Sequence, residues 1–308
     1  MAYKTNKPSK AKWSGIIFAA TFLAFPILQF IVFYLGVNVK SWISAFQPEF
    51  GEEFSLINFR LFFIELKDPL NAMSSTIKNT FITFGVYDFI SLPLCVFFSY
   101  VLYKKVAASS FFRVVFYFPS LLSIVALALV FYFIVDVKGP IAHEFNSIGL
   151  NYPSPFGREG SAFAWIMVFC VWSGFGYSIV LFSGSIARLP VEIFESAKIE
   201  GCSMAREFFT IVVPLLAPTI STLFILNFAA AFGMWAPVQL LTAGGYKSST
   251  IGYFIYSQAK AGNYNYPSAI GLLVSVIVVP VVLGLRAISS KFFEEDTFSV
   301  SYTHLTLP

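Results

Sequence analysis

Few side chains in this sequence could do chemistry, and their spacing argues against catalysis. The histidines, His143 and His304, stand far apart, and Cys95, Cys170 and Cys202 form neither a C-x-x-C pair nor a Cys/His set of zinc spacing. No disulfide framework or metal ligand set is therefore expected. The sequence has no G-x-x-x-x-G-K-[ST] phosphate loop, no H-E-x-x-H helix and no nucleophile elbow. Polar chemistry inside apolar runs remains. Asp88 stands between Tyr87 and Phe89 in the middle of such a run. A carboxylate there costs about 2.5–3.5 kcal/mol on insertion scales unless it faces a cavity or a partner. Asp88 reads equally as a pathway or interface acid and as a hydrogen-bonded structural one. Asn227 and Gln29 are polar among apolar neighbours, the pattern of groups that pair across helices.

The largest charge cluster of the second half interrupts two apolar runs, from Arg188 through Gly201 to Pro214. Pro190 suits a first helical turn, with Glu192 and Glu195 near the positive end of the helix and Lys198 toward the other. Val191, Phe194 and Ala197 recur every three residues and make a small apolar face. Gly201 can close that helix with a left-handed cap, and Ser203 can open the next. Met204, Phe208 and Ile211 then fall at i, i+4 and i+7, which predicts a second short helix.

The elements that carry these residues are read from composition. A chain of 308 residues, 57% hydrophobic and 12% charged, with 38 Phe and 15 Tyr, is made for lipid rather than water. Its mean hydropathy is +0.75. Net charge is only +4, too small to argue for nucleic acid. Apolar runs near 13–35, 79–103, 114–135, 161–187, 215–241 and 267–289 predict six membrane-crossing helices. The first is read as a retained span rather than a cleaved leader, because no small-x-small cleavage site stands out. A cytoplasmic N-terminus puts twelve Lys/Arg inside against eight outside, led by the acid-free arm of residues 1–12 and by Lys104-Lys105. That topology also puts the charged interruption in the cytoplasm. The expected organisation is a basic arm (1–12), a transmembrane domain (13–290) holding the interruption at 188–214, and a tail (291–308). The final stretch, 299–308, reads as non-native run-on.

The interruption resembles the EAA loop of ABC-importer permeases, whose pattern is E-A-A, three residues, G, nine residues, I-x-L-P. Here it runs Glu195-Ser196-Ala197, three residues, Gly201, nine residues, then Ile211-Val212-Val213-Pro214. Ser196 and Val213 replace Ala and Leu, and Glu200 and Cys202 flank the glycine where Asp and Ala are usual. A second stretch, Leu241-Thr242-Ala243-Gly244-Gly245-Tyr246 and then Thr250, resembles the L-T-x-G-G-P outer loop of the carbohydrate branch, with Tyr246 for Pro and so a looser turn expected.

The resemblance implies an all-α, polytopic fold of six transmembrane helices, the type I importer permease (MetI-like) fold, in the bacterial cytoplasmic membrane. It implies ATPase-docking roles for Glu192, Glu195, Ala197, Gly201, Met204 and Phe208, and outer-loop roles for Gly244, Gly245 and Thr250. It implies a maltose-permease-like half of a translocation pathway for a sugar or sugar derivative. The partners would be a second, homologous permease, a dimeric cytoplasmic ATPase and an extracytoplasmic solute-binding protein. No cofactor is expected in this chain, with ATP and magnesium held by the ATPase. Asp88, Asn227, Tyr177 and Trp235 are the candidate pathway residues, the two aromatics because they could stack on a sugar. The rivals are an ion-gradient-driven secondary transporter using Asp88, and a permease of the same kind carrying an amino acid, peptide or phosphonate.

Overall fold

The computed structural model describes residues 10–49, 53–68, 72–106 and 108–293. Most of the basic arm and the whole 299–308 stretch, with the expectations attached to them, lie outside the described residues. Among the described residues the regular structure is helical. By length and composition, six stretches among the described residues are candidates to cross a membrane. Their outer faces carry bare Phe, Leu, Ile and Val, as rods surrounded by lipid should.

The first rod joins α1 (Lys10–Gln29), a widened π-helical stretch (Phe30–Gly36) and α2 (Val37–Ala45). It runs ten residues past the expected 35, and Gln29 on it is exposed rather than paired with another helix. α3 (Ile57–Lys67) then folds back. Buried Asn58 donates to the carbonyls of Ala45 (3.1 Å) and Gln47 (2.8 Å), satisfying groups the end of α2 leaves open. The second rod is α4 (Met73–Val86), a π-helical stretch (Tyr87–Ser91) and α5 (Leu92–Tyr103). Pro93 has no N–H to give, and the wide turn just before it absorbs the missing bond.

The third crossing is broken. α6 (Ser109–Leu121) and α7 (Ile124–Val135) are separated at Leu122 and Ser123, whose ψ angles are 152° and 134°. An apolar stretch also continues from Ile124 to Ser147. However, the loop at Asp136–Gly139 cuts it before α8 (Pro140–Ser147), and α7 alone spans only about 18 Å. α6 supplies the missing length. The two run in line along α9 (Ser161–Ile186), with Phe116 beside Phe175 at 5.9 Å and Phe131 beside Phe169 at 5.3 Å. Gly176 permits the approach, since a Cβ there would sit 2.7 Å from Ser120 Oγ and 2.9 Å from the Phe116 carbonyl.

After α10 (Val191–Ile199), α11 (Met204–Glu207) passes through a π-helical stretch (Phe208–Val212) into α12 (Val213–Phe232) without a break. This corrects two expectations. The fifth span is Met204–Phe232, not 215–241, and the predicted second short helix is its first turns. Pro214 does not end the helix, because at the first positions of α12 it comes just after a wide turn. The break comes instead at Gly233–Trp235, before α13 (Ala236–Leu241). α14 (Ile251–Lys260) and α15 (Asn265–Phe293), the last span, complete the described chain.

Among the described residues three buried clusters divide the bundle, the smallest made of Met73, Ile251 and Ile270. Of the two larger, one gathers Leu127, Phe131, Ile166, Phe169, Met234, Val238 and Tyr253. The other gathers Leu92, Val96, Tyr100, Phe182, Phe194, Phe208 and Leu216. Asn79, near the start of the second rod, touches the 247–249 loop, and Tyr103, at its end, touches Phe194. The Gly-Gly loop and the charged interruption therefore sit about 36 Å apart, at opposite ends of one bundle.

Candidate functional site: the charged elbow, the Gly-Gly loop and the cavity between

At one end, α9 turns through Ala187–Pro190 into α10, and α10 closes on Gly201. Gly201 has φ +71°, the left-handed region, with nothing within 4 Å of where a Cβ would lie. The Cys202 N–H donates to the Ala197 carbonyl at 2.9 Å, and the Gly201 N–H to the Lys198 carbonyl at 3.1 Å. These two reversed bonds satisfy the open carbonyls of α10 and make the glycine cap read from the sequence. Ser203 caps α11, its Oγ accepting from the Arg206 N–H at 3.4 Å. The two arms of the elbow are thus α10 and the first turn of the fifth span.

The elbow sorts the sequence-predicted residues into two sets. Glu192, Glu195, Gly201 and Met204 face outward and are free to meet a partner. Ala197 and Phe208 do not: they are buried at 5% and 8% exposure, so they support the elbow from beneath. The period of three in Val191, Phe194 and Ala197 is broken the same way, because Phe194 and Ala197 go inward while Val191 is exposed. Ile199, which the sequence reasoning passes over, is 87% exposed beside the turn.

Beneath the elbow lies a group that sequence reasoning also misses. Lys104 Nζ lies 2.6 Å from Glu207 Oε1 and 2.8 Å from Oε2, and Glu207 is only 3% exposed. A signal exists: Glu207 comes three residues after Met204, on the same stripe as buried Phe208, and a buried charge needs a partner.

At the other end, the Gly-Gly loop is pinned, not loose. Asn79 Nδ2 donates to the carbonyls of Lys247 (2.7 Å) and Ser249 (2.9 Å). The Ile251 N–H donates to Thr80 Oγ1 at 3.0 Å. Thr250 Oγ1 donates to the Met234 carbonyl at 2.6 Å and accepts from the Tyr253 N–H at 3.3 Å, capping α14. Gly244 has φ +74°, and a Cβ there would lie 2.3 Å from Tyr253 Cε1. Tyr246 has φ +53°, which proline cannot adopt, so the departure from the sugar-branch pattern goes with a different backbone rather than a slacker one. Burial raises the pKa of Tyr253 beside this loop, with a further push from Tyr256, and keeps its phenol neutral.

Between the ends, two separate candidates meet. Asn227 Nδ2 donates to Asp88 Oδ1 at 2.9 Å, joining the fifth span to the π-helical stretch of the second. Asp88 is 3% exposed, and its Oδ2 has no hydrogen-bond partner among the described residues. Asn227 also lines a cavity of about 400 Å³ with Tyr87, Ser91, Ser120, Ser173 and Ser178. Leu92, Leu122, Ile124, Leu127, Phe182 and Leu223 make much of the rest of the wall, so the cavity has the mixed lining of a small-molecule site, an apolar wall with a few hydroxyl and amide groups. The two aromatics go elsewhere. Tyr177 is 67% exposed on the outside of α9, and Trp235 stacks on Tyr256 at 4.1 Å, near the Gly-Gly loop. Neither lines the cavity, so this chain by itself does not bring the four pathway candidates together.

Comparison with known proteins gives a consistent result. Residues 91–293 match the family described as "Binding-protein-dependent transport system inner membrane component". The chain is 31% identical over 193 residues to the multiple sugar-binding transport system permease protein MsmF of Streptococcus mutans, covering 62% of this chain and 66% of that one. It is 24% identical over 306 residues to the arabinooligosaccharides transport system permease protein AraP of Bacillus subtilis, covering 92% and 95%. A chain in the crystal structure of a bacterial alginate ABC transporter, in complex with its alginate pentasaccharide-bound periplasmic protein, superposes with a TM-score of 0.79. It is 19% identical and covers 91% of this chain and 96% of that one.

Proposed function

The chain belongs to the family of binding-protein-dependent transport system inner membrane components, a family of multi-pass transport subunits, and from that premise we propose how it works and what it carries. It forms half of the pathway of an ATP-driven sugar importer. Membership sets aside the ion-gradient-driven alternative. The sugar assignment rests on relatives named for sugar-binding and arabinooligosaccharide transport, and the hydroxyl groups in part of the cavity wall agree with it.

The observation that carries the reading is the glycine-capped elbow, which turns Glu192, Glu195 and Ile199 outward on a buried aromatic footing. An element so fixed from below and so bare above is built to receive force. The elbow faces the cytoplasm, the N-terminus is cytoplasmic, and the Gly-Gly loop faces the extracytoplasmic receptor. A second, homologous permease completes the pathway, and a dimeric ATPase holds ATP and magnesium and closes on the two elbows. Closure favours an outward-open arrangement that takes solute from the loaded receptor, and hydrolysis returns it.

Two measurements test this. Sugar uptake by proteoliposomes holding the whole importer should require ATP and survive collapse of ion gradients. Orientation is read from a built-in reporter: Cys202 is partly exposed at the elbow, whereas Cys95 and Cys170 are buried. A membrane-impermeant maleimide should label Cys202 in inside-out vesicles and be blocked by the bound ATPase. Labelling from the outside would overturn the assignment.

A further inference from the structure

The last turns of α5 grip both arms of the elbow. Tyr103 packs on Phe194 of α10 at 5.2 Å. Tyr100 packs on Phe208 at 5.4 Å, and its hydroxyl donates to the Met204 carbonyl at 3.3 Å. Lys104 is the residue that caps α5, and its ammonium sits 5.3 Å from the Phe194 ring centre while pairing with Glu207. The pair thus joins the negative end of one helix to the positive end of another, with each charge at the end that favours it.

These contacts differ in how far they tolerate sliding. An aromatic pair is worth only about 0.5–1.5 kcal/mol beyond the area it buries, so shifting one is a modest loss. A carboxylate that is 3% exposed resists slipping, because leaving Lys104 takes away the charge that compensates its burial, and the neutral Tyr100 hydroxyl beside it cannot replace that charge. We propose that Lys104 and Glu207 are positioning residues for energy coupling, locking the elbow in register with the second span so that movement of α10 moves α5. The π-helical stretch Tyr87–Ser91 and Pro93 lie farther along the same rod, and Asp88 and Asn227 meet there. The tie therefore connects the elbow to the rod that lines the cavity.

This proposal rests on the importer reading, and its test separates the two. In proteoliposomes with receptor, maltodextrin or arabinooligosaccharide mixtures and ATP, the readout is sugar imported per ATP hydrolysed, alongside the amount of assembled complex. Lys104→Gln and Glu207→Gln should each lower that ratio at least tenfold while ATP hydrolysis and assembly stay within twofold. Lys104→Arg, which keeps the pair, should hold the ratio near wild type. If Lys104→Gln fails to assemble, Glu207→Gln, which has the same shape and leaves no buried anion, decides the matter. An unchanged ratio in Glu207→Gln, or uptake and hydrolysis falling together with the amount of complex, refutes the tie. Glu195→Ala is run in parallel. If it uncouples and the pair variants do not, only the tie is lost; if uptake proceeds without ATP in every sample, the importer reading itself fails.

Discussion

Substitution of Gly201 isolates the elbow's geometry from its chemistry. A Cβ at this position meets nothing within 4 Å, so a side chain here has no clash to relieve. The cost is backbone strain alone, about 1–2 kcal/mol for an L-residue held in the left-handed region, and less for Asn. A difference of that size shifts a two-state equilibrium by roughly tenfold. If the turn opens to escape it, the Cys202–Ala197 and Gly201–Lys198 bonds are lost and α10 swings off its footing. ATP-driven uptake should therefore fall in the order Asn, then Ala, then Val. Asn should stay close to wild type, and Ala should lose roughly five- to thirtyfold, the factor that about 1–2 kcal/mol implies. Val should lose more, because β-branching makes a positive φ costlier still. Gly201→Asp separates a second effect. Its backbone tolerance is near that of Asn, so any further loss measures a charge added beside Glu192, Glu195 and Glu200. The assay is uptake and ATP hydrolysis by equal amounts of purified, assembled complex. Equal activity for Asn and Val, or full activity for Val, would refute the strain argument.

Other positions give independent checks. Glu195→Ala should uncouple hydrolysis from uptake without lowering the amount of protein in the membrane, because Glu195 is exposed and supports no packing. Gly244→Ala drives a methyl group into the Tyr253 ring, so it should cost about 1–3 kcal/mol, lower the Tm of the complex and weaken receptor-stimulated ATP hydrolysis. Asn227→Leu removes the hydrogen bond to the buried Asp88 carboxyl and should destabilise assembly by about 1–3 kcal/mol, read as a loss of purified complex. Asp88→Asn keeps a hydrogen-bonding partner for Asn227 and should leave assembly intact; sugar uptake by that variant then tells whether the carboxyl serves transport or only structure.

The elbow shows how much of the site is legible in the sequence. Pro190, Gly201 and Ser203 act through the backbone of their immediate neighbours, so their roles can be read without knowing what packs nearby. The inward turn of Ala197 and Phe208 cannot, because a stripe every three or four residues says that a face is apolar, not whether this chain or another covers it. Span limits are hidden for a related reason. Proline reads as a boundary at residue 214, but a π-helical turn before it lets α11 run into α12, and hydropathy carries no trace of a widened turn. Asp88 and Asn227 each stand out as costly, yet their meeting depends on two rods 139 residues apart in sequence lying side by side. Lys104 makes the same point most sharply. Counted as one of twelve basic residues on the inner side, it reads as topology; opposite a buried glutamate, it reads as a fastener. Local rules therefore recover the elbow as a shape, whereas what holds it in place, and what it can move, is fixed by contacts between rods.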